Sequence, residues 1–210
     1  SEGNWRRIFF DSVSMTLITE RPLASSMLNC TSLLTFKKRL IASTEFFSSA
    51  GLTGADGAAH FMKCSAFTLN QPETVYLVAR QVTWSINEYI FDGNSPSTMS
   101  LVQDDLGSSP GLGIYAGSRV RTLSSVAIGE KSVITMVFNG ASSLIQENQD
   151  TPVTGNAGAA NAGGFAIGGR SDAASFANFQ AYEALIYNVA HDAATRANVI
   201  RALMAKWGIP

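Results

Sequence analysis

The chain has 210 residues, of which 46% are hydrophobic and 15% charged, with a formal net charge of −1. This length and apolar content suit one large domain with a full core. Nucleic-acid binding is not expected, because it needs a concentrated basic surface and the sequence has no long basic run. No run of about 18 apolar residues occurs, so no membrane-spanning helix is expected either.

The opening segment, residues 1–45, carries apolar clusters that are too hydrophobic for a free tail. They are Ile8–Phe10, Met15–Ile18 and Leu33–Leu34. Two arrangements would bury them: extra edge strands on the domain that follows, or an arm that docks on another subunit. Edge strands are favoured, because they would bury the apolar clusters within a single chain.

The middle of the chain contains short apolar runs separated by Gly, Pro, Asn and Ser, which is typical of many brief strands. Thr74–Ala79 is almost continuously β-branched, aromatic or aliphatic and predicts a central strand with both faces covered. Tyr89–Phe91 predicts a shorter strand. Leu112–Tyr115 and Val120–Leu123 predict a hairpin around the turn at 116–118.

A hairpin signal follows at Val133–Phe138, which runs into Asn139-Gly140 before a second run begins at Ser142. Asn-Gly accepts positive φ at both central positions of a tight turn, so the pattern predicts a tight hairpin. The next stretch, Thr154–Gly164, is poor in bulky side chains. It is expected to be a mobile surface loop.

The end of the chain predicts a strand, a long strand and a helix. Phe165–Arg170 returns to the sheet, and Phe179–Tyr187 has the bulky side chains of a buried strand. A helix is predicted over residues 192–207, with Asp192 as its cap and Gly208 after its end. Its apolar positions recur at i, i+3, i+4 and i+7 and are expected to pack on the sheet; they are Ile200, Leu203, Met204 and Trp207.

This ending, with E-A-L-I-Y-N at 183–188 and A-K-W-G-I at 205–209, resembles the last strand and closing helix of concanavalin A-like lectin/glucanase jelly rolls. It looks most like the laminin-G-like modules of phage structural and bacterial surface proteins, whose V-N-G turn resembles V-F-N-G at 137–140. The resemblance extends upstream to about Leu52. It implies an all-β fold, a two-sheet antiparallel jelly-roll sandwich with a short C-terminal helix, over residues 46–210.

Carboxylate spacing argues against an enzyme. Retaining glycanases need two carboxylates about 5 Å apart, which the endoglucanase branch of the resembled family supplies as E-x-D-x-x-E, and no acidic residue here begins that pattern. Glu183 is expected to pair with an Arg or to accept backbone N–H groups. The lyase branches need a histidine in the cleft, and of the two histidines, His60 and His191, the second is expected at the surface.

Three aromatic residues, Trp84, Tyr89 and Tyr115, are candidates for a glycan-stacking platform. Core packing is the favoured role for each, and Trp84 is the one expected to be most exposed.

Four polar residues would supply oxygen ligands to calcium, which some members of the resembled family hold at the sandwich rim: Asp92, Asn94, Asp104 and Asp105. Their spacing matches no fixed calcium loop, so loop acids that serve solubility are the favoured interpretation. No other cofactor is predicted. Cys30 and Cys64 allow one disulfide in an oxidising compartment, and two buried free thiols are expected instead.

Three functional hypotheses follow. The first is a non-enzymatic attachment module, a phage virion decoration or tail-associated protein with weak glycan binding, assembled with its own copies or with other structural subunits. The second is a secreted or cell-surface carbohydrate-binding module. The third is an unconventional polysaccharide-cleaving enzyme. The virion is the expected location under the first, and the cell surface or extracellular space under the second.

Overall fold

The computed structural model describes residues 5–9, 14–18, 53–56, 61–105, 110–122 and 126–210. The strands are β1 Trp5–Phe9, β2 Ser14–Ile18, β3 Thr53–Asp56, β4 Met62–Lys63, β5 Glu73–Gln81, β6 Tyr89–Gly93, β7 Ser100–Asp105, β8 Pro110–Tyr115, β9 Arg119–Arg121, β10 Lys131–Phe138, β11 Ser143–Glu147, β12 Val153–Gly155, β13 Phe165–Ile167 and β14 Asn178–Tyr187, and the helix α1 is Ala193–Trp207.

These strands form two sheets. The eight-stranded sheet has the order β1-β2-β14-β5-β10-β11-β12, with β3 also paired to β14, and the six-stranded sheet has the order β4-β13-β6-β7-β8-β9. The paired strands are antiparallel except β2 and β14, which run parallel. The predicted all-β sandwich with one short C-terminal helix is confirmed.

Strand β5 is central because both of its faces are buried. Val75 and Leu77 belong to the core between the sheets, whereas Tyr76 and Val78 pack under α1 together with Ile200. A fully buried side chain of this size contributes roughly 1.5–3 kcal/mol relative to an exposed one. The prediction of a strand covered on both faces is therefore explained: the six-stranded sheet covers one face of β5, and α1 covers the other.

Helix α1 has the predicted limits. The Asp192 carboxylate accepts a hydrogen bond from the Thr195 backbone N–H at 2.7 Å, which satisfies one of the unpaired donors of the first turn. Gly208 ends the helix in the left-handed region, with φ 62°, and its N–H bonds to the Met204 carbonyl. Ile200, Leu203 and Met204 are buried against the sheet.

The predicted hairpin forms, but its turn is different. Strands β10 and β11 pair with Val137 opposite Leu144, yet Asn139 has φ −152° and a 3₁₀ turn spans Gly140–Ser142. The Ser143 hydroxyl accepts from the Asn139 N–H at 2.9 Å, and the Gln71 side-chain oxygen accepts from the Gly140 N–H at 2.8 Å. These side-chain partners stabilise a wider turn, so the tight turn with positive φ at Asn139 was wrong.

The stretch 154–164 is packed, and the prediction of a mobile surface loop was wrong. Ala157 and Ala162 are buried. The Ala116 N–H donates to the Ala157 carbonyl at 2.6 Å, and the Ala160 N–H donates to the Ala116 carbonyl at 2.9 Å. A Cβ on Gly158 would overlap the Ala116 carbonyl. Small residues here allow close backbone packing, which composition alone does not distinguish from flexibility.

The division into residues 1–45 and 46–210 stays a prediction. Strands β1 and β2 form a hairpin, and β2 lies beside β14 with Ser14 opposite Glu183, so these two strands extend the eight-stranded sheet. The Leu33–Leu34 cluster, Cys30 and His60 lie outside the described residues.

Candidate functional site

The side chains of the six-stranded sheet that point away from the inter-sheet core define the other face of this sheet, here called the outer face. Leu101 of β7 points into the core. Because side chains alternate along a strand, Ser100, Val102 and Asp104 point to the outer face. That face is the candidate functional site.

Strand register places two arginines of the edge strand β9 on the outer face. Ser100 lies opposite Tyr115, and Tyr115 lies opposite Arg119. In the next row, Val102 lies opposite Gly113, and Gly113 lies opposite Arg121. Directly paired residues share a face, so Tyr115, Arg119 and Arg121 are neighbours there.

A buried carboxylate fixes both arginines. Asp104 is only 1% exposed, and its Oδ2 accepts from Arg121 Nε at 2.8 Å and from Arg119 Nη1 at 3.3 Å. The missing side chain of Gly113 makes this possible, because a Cβ there would lie 2.5 Å from Asp104 Oδ2 and 3.5 Å from Arg119 Cδ. Asp104 therefore reaches from β7 across β8 to β9.

Both arginine side chains are partly exposed to solvent. The Arg121 side chain is 53% exposed and the Arg119 side chain 27%. Arg121 binds Asp104 through Nε, so within the described part of the chain its two Nη groups have no partner. Arg119 Nη1 is also 3.5 Å from Asn87 Oδ1. One carboxylate serves two cations, so the cluster keeps a net positive charge.

The aromatic candidates do not form one platform. Tyr115 lies half-buried on the outer face. Tyr89 is on the same face but only 8% exposed, because the Arg170 guanidinium covers its ring at 5.9 Å and its hydroxyl bonds to Ser97 Oγ at 2.8 Å. Trp84 lies at the end of the sheet, where Nε1 donates to the Gly111 carbonyl at 3.2 Å. Gly111 is four residues along β8 from Tyr115, or about 13 Å.

The four calcium candidates are also apart. The buried Asp92 carboxylate accepts five hydrogen bonds, from the N–H groups of Gly93, Ser97, Thr98 and Ser171 and from Ser100 Oγ, at 2.7–3.2 Å. Asp104, bound to its arginines, is about 13 Å further along the sheet. The Asn94 N–H donates to the Ala162 carbonyl at 2.8 Å, and the side chain of Asp105 lies outside the description. Among the residues described, no three His, Cys, Asp or Glu side chains are grouped to hold a metal ion.

Glu183 joins the helix to the sheet. Lys206 Nζ donates to both of its carboxylate oxygens, at 2.8 and 2.7 Å, and Trp207 Nε1 donates to Oε2 at 2.8 Å. The sequence predicted pairing for this carboxylate, but with an Arg or with backbone N–H groups. The actual partners come from the last turn of α1, whose contact with β14 no local pattern encodes.

His191 is buried at 6% exposure, so its predicted surface position was wrong. Its Nδ1 lies 2.8 Å from the Tyr76 hydroxyl, and its ring centroid lies 4.3 Å from that of Tyr187. The His191 N–H also donates to Thr74 Oγ1 at 2.9 Å. These contacts hold the connection between β14 and α1 on the sheet, although a residue next to a helix cap usually faces solvent.

Sequence reasoning missed Glu73, the first residue of β5. It is fully buried, and neither carboxylate oxygen has a hydrogen-bond partner within the described residues. Burial raises the pKa of Glu73 to about 8. No sequence signal marks it, because a glutamate that follows a proline at a strand end reads as a solvent-exposed residue.

Comparison with known proteins identifies the fold. The sequence matches no family model and no curated protein. A native heptameric SAP-like pentraxin from Limulus polyphemus matches 67% of this chain and 74% of its own, with a TM-score of 0.51 and 14% identity. Trypanosoma rangeli sialidase in complex with sialic acid matches 72% of this chain, with a TM-score of 0.53 and 13% identity.

The chain spans 27% of that sialidase and 33% of a sialidase mutant displaying trans-sialidase activity, which matches with a TM-score of 0.50 and 11% identity. Pentraxin and sialidase matches share a two-sheet sandwich with this protein. The chain has a concanavalin A-like jelly-roll fold. In the described part of this jelly roll, no helix combines the length and the apolar character needed to cross a membrane.

Proposed function

We propose that this protein is a non-catalytic jelly-roll module that binds a glycan on the outer face of its six-stranded sheet. The observation that carries the proposal is the group formed by Tyr115, Arg119 and Arg121, held by the buried Asp104. The arginines are already fixed by an ion pair, so little side-chain freedom is lost when a ligand binds.

This group suits a sugar. A sugar ring presents an apolar face that stacks on an aromatic side chain and hydroxyl oxygens that accept hydrogen bonds. Tyr115 supplies an aromatic ring directly opposite Arg119 in the strand register. The guanidinium groups supply several planar donors each, and guanidinium hydrogen bonds are stronger than those between neutral groups.

The absence of catalysis is part of the proposal. The carboxylates near the outer face are occupied: Asp92 by five donors and Asp104 by two arginines. Glu183 is bound to α1. Release of reducing ends from a panel of polysaccharides would contradict this part of the proposal and favour the third hypothesis.

A glycan array tests the binding function. We expect the wild-type protein to bind a subset of glycans and Tyr115→Ala to lose at least tenfold in affinity for them. Arg201→Gln is the matched control, because Arg201 is exposed on α1 and far from the outer face in the fold. An array without any bound glycan, or equal binding by Tyr115→Ala, would overturn the proposal.

The location that goes with this function is the cell surface or the extracellular space, where glycans are presented. Attachment to a phage virion, which the sequence resemblance implies, stays a prediction. Light scattering after size exclusion, together with co-sedimentation with particles, tests that role separately.

A further inference from the structure

We infer that Arg119 and Arg121 bind the carboxylate of an acidic sugar. This inference rests on the proposed function, since it specifies the class of glycan that the outer face recognises. The two arginines are two residues apart on β9, so their side chains leave the sheet on the same side.

The cluster contains two arginine cations and one carboxylate, so among the described residues one positive charge has no counterion. Asp104 is the acid that forms ion pairs with these arginines in the described part of the chain, and its Oδ2 contacts both. Among the other described residues of the outer face, Arg170 forms a bidentate pair with Asp172, Lys63 donates to the Ser171 carbonyl, and Asp92 is held by five hydrogen bonds about 13 Å away. One further anion would therefore neutralise the site.

The donor geometry favours a carboxylate. Arg121 uses Nε for Asp104 and keeps both Nη groups, while Arg119 uses Nη1 and keeps Nε and Nη2. A planar fork of N–H donors matches the two oxygens of a carboxylate. The bond to Asp104 restrains the Arg121 side chain. Lysine would supply charge at this position but not the fork.

The surroundings favour an acidic sugar over a nucleic acid. In the described part of the chain, the cluster has one uncompensated cation, not the extended basic surface that a polyphosphate requires. The ring next to the arginines is Tyr115, which lies opposite Arg119. A uronic acid offers a ring face and one carboxylate on the same residue, which fits one aromatic ring beside one uncompensated cation.

The test compares an oligogalacturonate with the same oligosaccharide after reduction of its carboxyl groups. We expect the wild-type protein to bind the acidic form at least tenfold more tightly, and this preference to be lost in Arg121→Gln and in the double variant with Arg119→Gln. Arg121→Lys keeps the charge and is expected to recover only part of the affinity. Arg201→Gln is the control, and circular dichroism shows whether each variant is folded.

Equal affinity of the wild-type protein for the acidic and the reduced forms would overturn the inference and leave glycan binding standing. A preference that Arg121→Gln and the double variant retain would also overturn it. A separate titration with glucuronate, observed at the arginine Nε–Hε NMR signals, addresses the anion site itself. Shifts confined to Arg119 and Arg121, without binding of any oligosaccharide, would support the anion site and contradict the proposed function. No shift would overturn the inference.

Discussion

Buried carboxylates in the described part of this protein differ in their partners. Asp92 accepts five hydrogen bonds, Asp104 binds two arginines, and Glu183 binds a lysine and an indole. Among the described residues, Glu73 has no hydrogen-bond partner for either carboxylate oxygen. Desolvation without compensation disfavours the ionised form, so burial raises the pKa of Glu73 to about 8.

The raised pKa of Glu73 predicts a pH-dependent stability. Its carboxyl ionises near 4.5 in the unfolded chain and near 8 in the fold, so between these values the unfolded state binds fewer protons. The free energy of unfolding should therefore fall as pH rises through this window, by about 3 kcal/mol between pH 5 and pH 8 from this residue. Urea unfolding at both pH values measures it.

In Glu73→Gln this contribution should disappear, because the side chain no longer titrates. Glu130→Gln, at an exposed position, is the control and should keep the wild-type pH dependence. An identical pH dependence in Glu73→Gln and the wild-type protein would show that the carboxyl is not destabilised in the fold.

Substitution of Glu183 is predicted to reduce the stability of the protein and not its activity. Glu183→Ala leaves Lys206 and the Trp207 indole without their acceptor, and hydrogen bonds to a charged group contribute about 1.5–3 kcal/mol. Lys206 is 45% exposed and regains water, so we expect a loss near the lower end, about 2 kcal/mol in urea unfolding. An unchanged midpoint would mean that the helix does not depend on this contact.

Single residues were the least predictable part of the candidate site. The sequence selected Tyr89, Tyr115 and Asp104, which the structure places on one face, but it did not select Arg119 or Arg121. Asp104 meets them only because β7, β8 and β9 are in register and Gly113 leaves room between them. Contacts of this kind depend on pairing across strands, and nothing within three or four positions of Asp104 indicates them.

At the scale of elements, the turn between β10 and β11 predicts the effect of a proline. Asn139 has φ −152°, far from the value near −65° that proline requires, and its N–H bonds to Ser143 Oγ. Asn139→Pro should therefore cost about 3 kcal/mol, seen as a lower melting temperature. Asn139→Ala keeps the N–H and is the control, with little expected change. Equal melting temperatures for the two variants would contradict the observed turn.

The packed stretch after β12 predicts a contrast between two glycines with positive φ. A Cβ on Gly158 would collide with the backbone of Ala116, whereas a Cβ on Gly140 would meet no atom within 4 Å. Gly140→Ala should cost about 1 kcal/mol from its backbone conformation alone. Gly158→Ala adds the collision and should cost clearly more in urea unfolding. Equal costs would mean that this stretch is loosely packed after all.

Elements with strong hydrophobic periodicity were predictable from the sequence, whereas the stretch with few bulky side chains was not. The bulky runs in β5, β10 and β14 and the helical spacing in α1 reflect burial on one or both faces, which sequence records directly. The stretch 154–164 has few such residues. Its position depends on backbone bonds to Ala116 and on the Gln71 amide, which donates to the Ala160 carbonyl at 2.7 Å. The small side chains of this stretch give no sequence signal for its contacts with Ala116 or Gln71.

At the scale of the whole molecule, one sheet contributes side chains to both hydrophobic cores. Strand β5 contributes Val75 and Leu77 to the core between the sheets and Tyr76 and Val78 to the core under α1. Loss of this strand would expose both cores together, so we expect one cooperative unfolding transition. Thermal melts followed by far-ultraviolet circular dichroism and by tryptophan fluorescence should coincide. Separate midpoints would indicate that the two cores unfold independently.

The position of β5 has a further consequence for synthesis on the ribosome. Its partner β10 begins at Lys131, but its second partner β14 does not begin until Asn178, and α1 follows only at Ala193. Until those residues emerge, the nascent chain holds a strongly apolar strand with one open edge and one uncovered face. Strand pairing between residues so far apart in sequence is slow, and the partly folded intermediates expose apolar surface that promotes aggregation. Translation rate and chaperone supply should therefore affect the yield of folded protein.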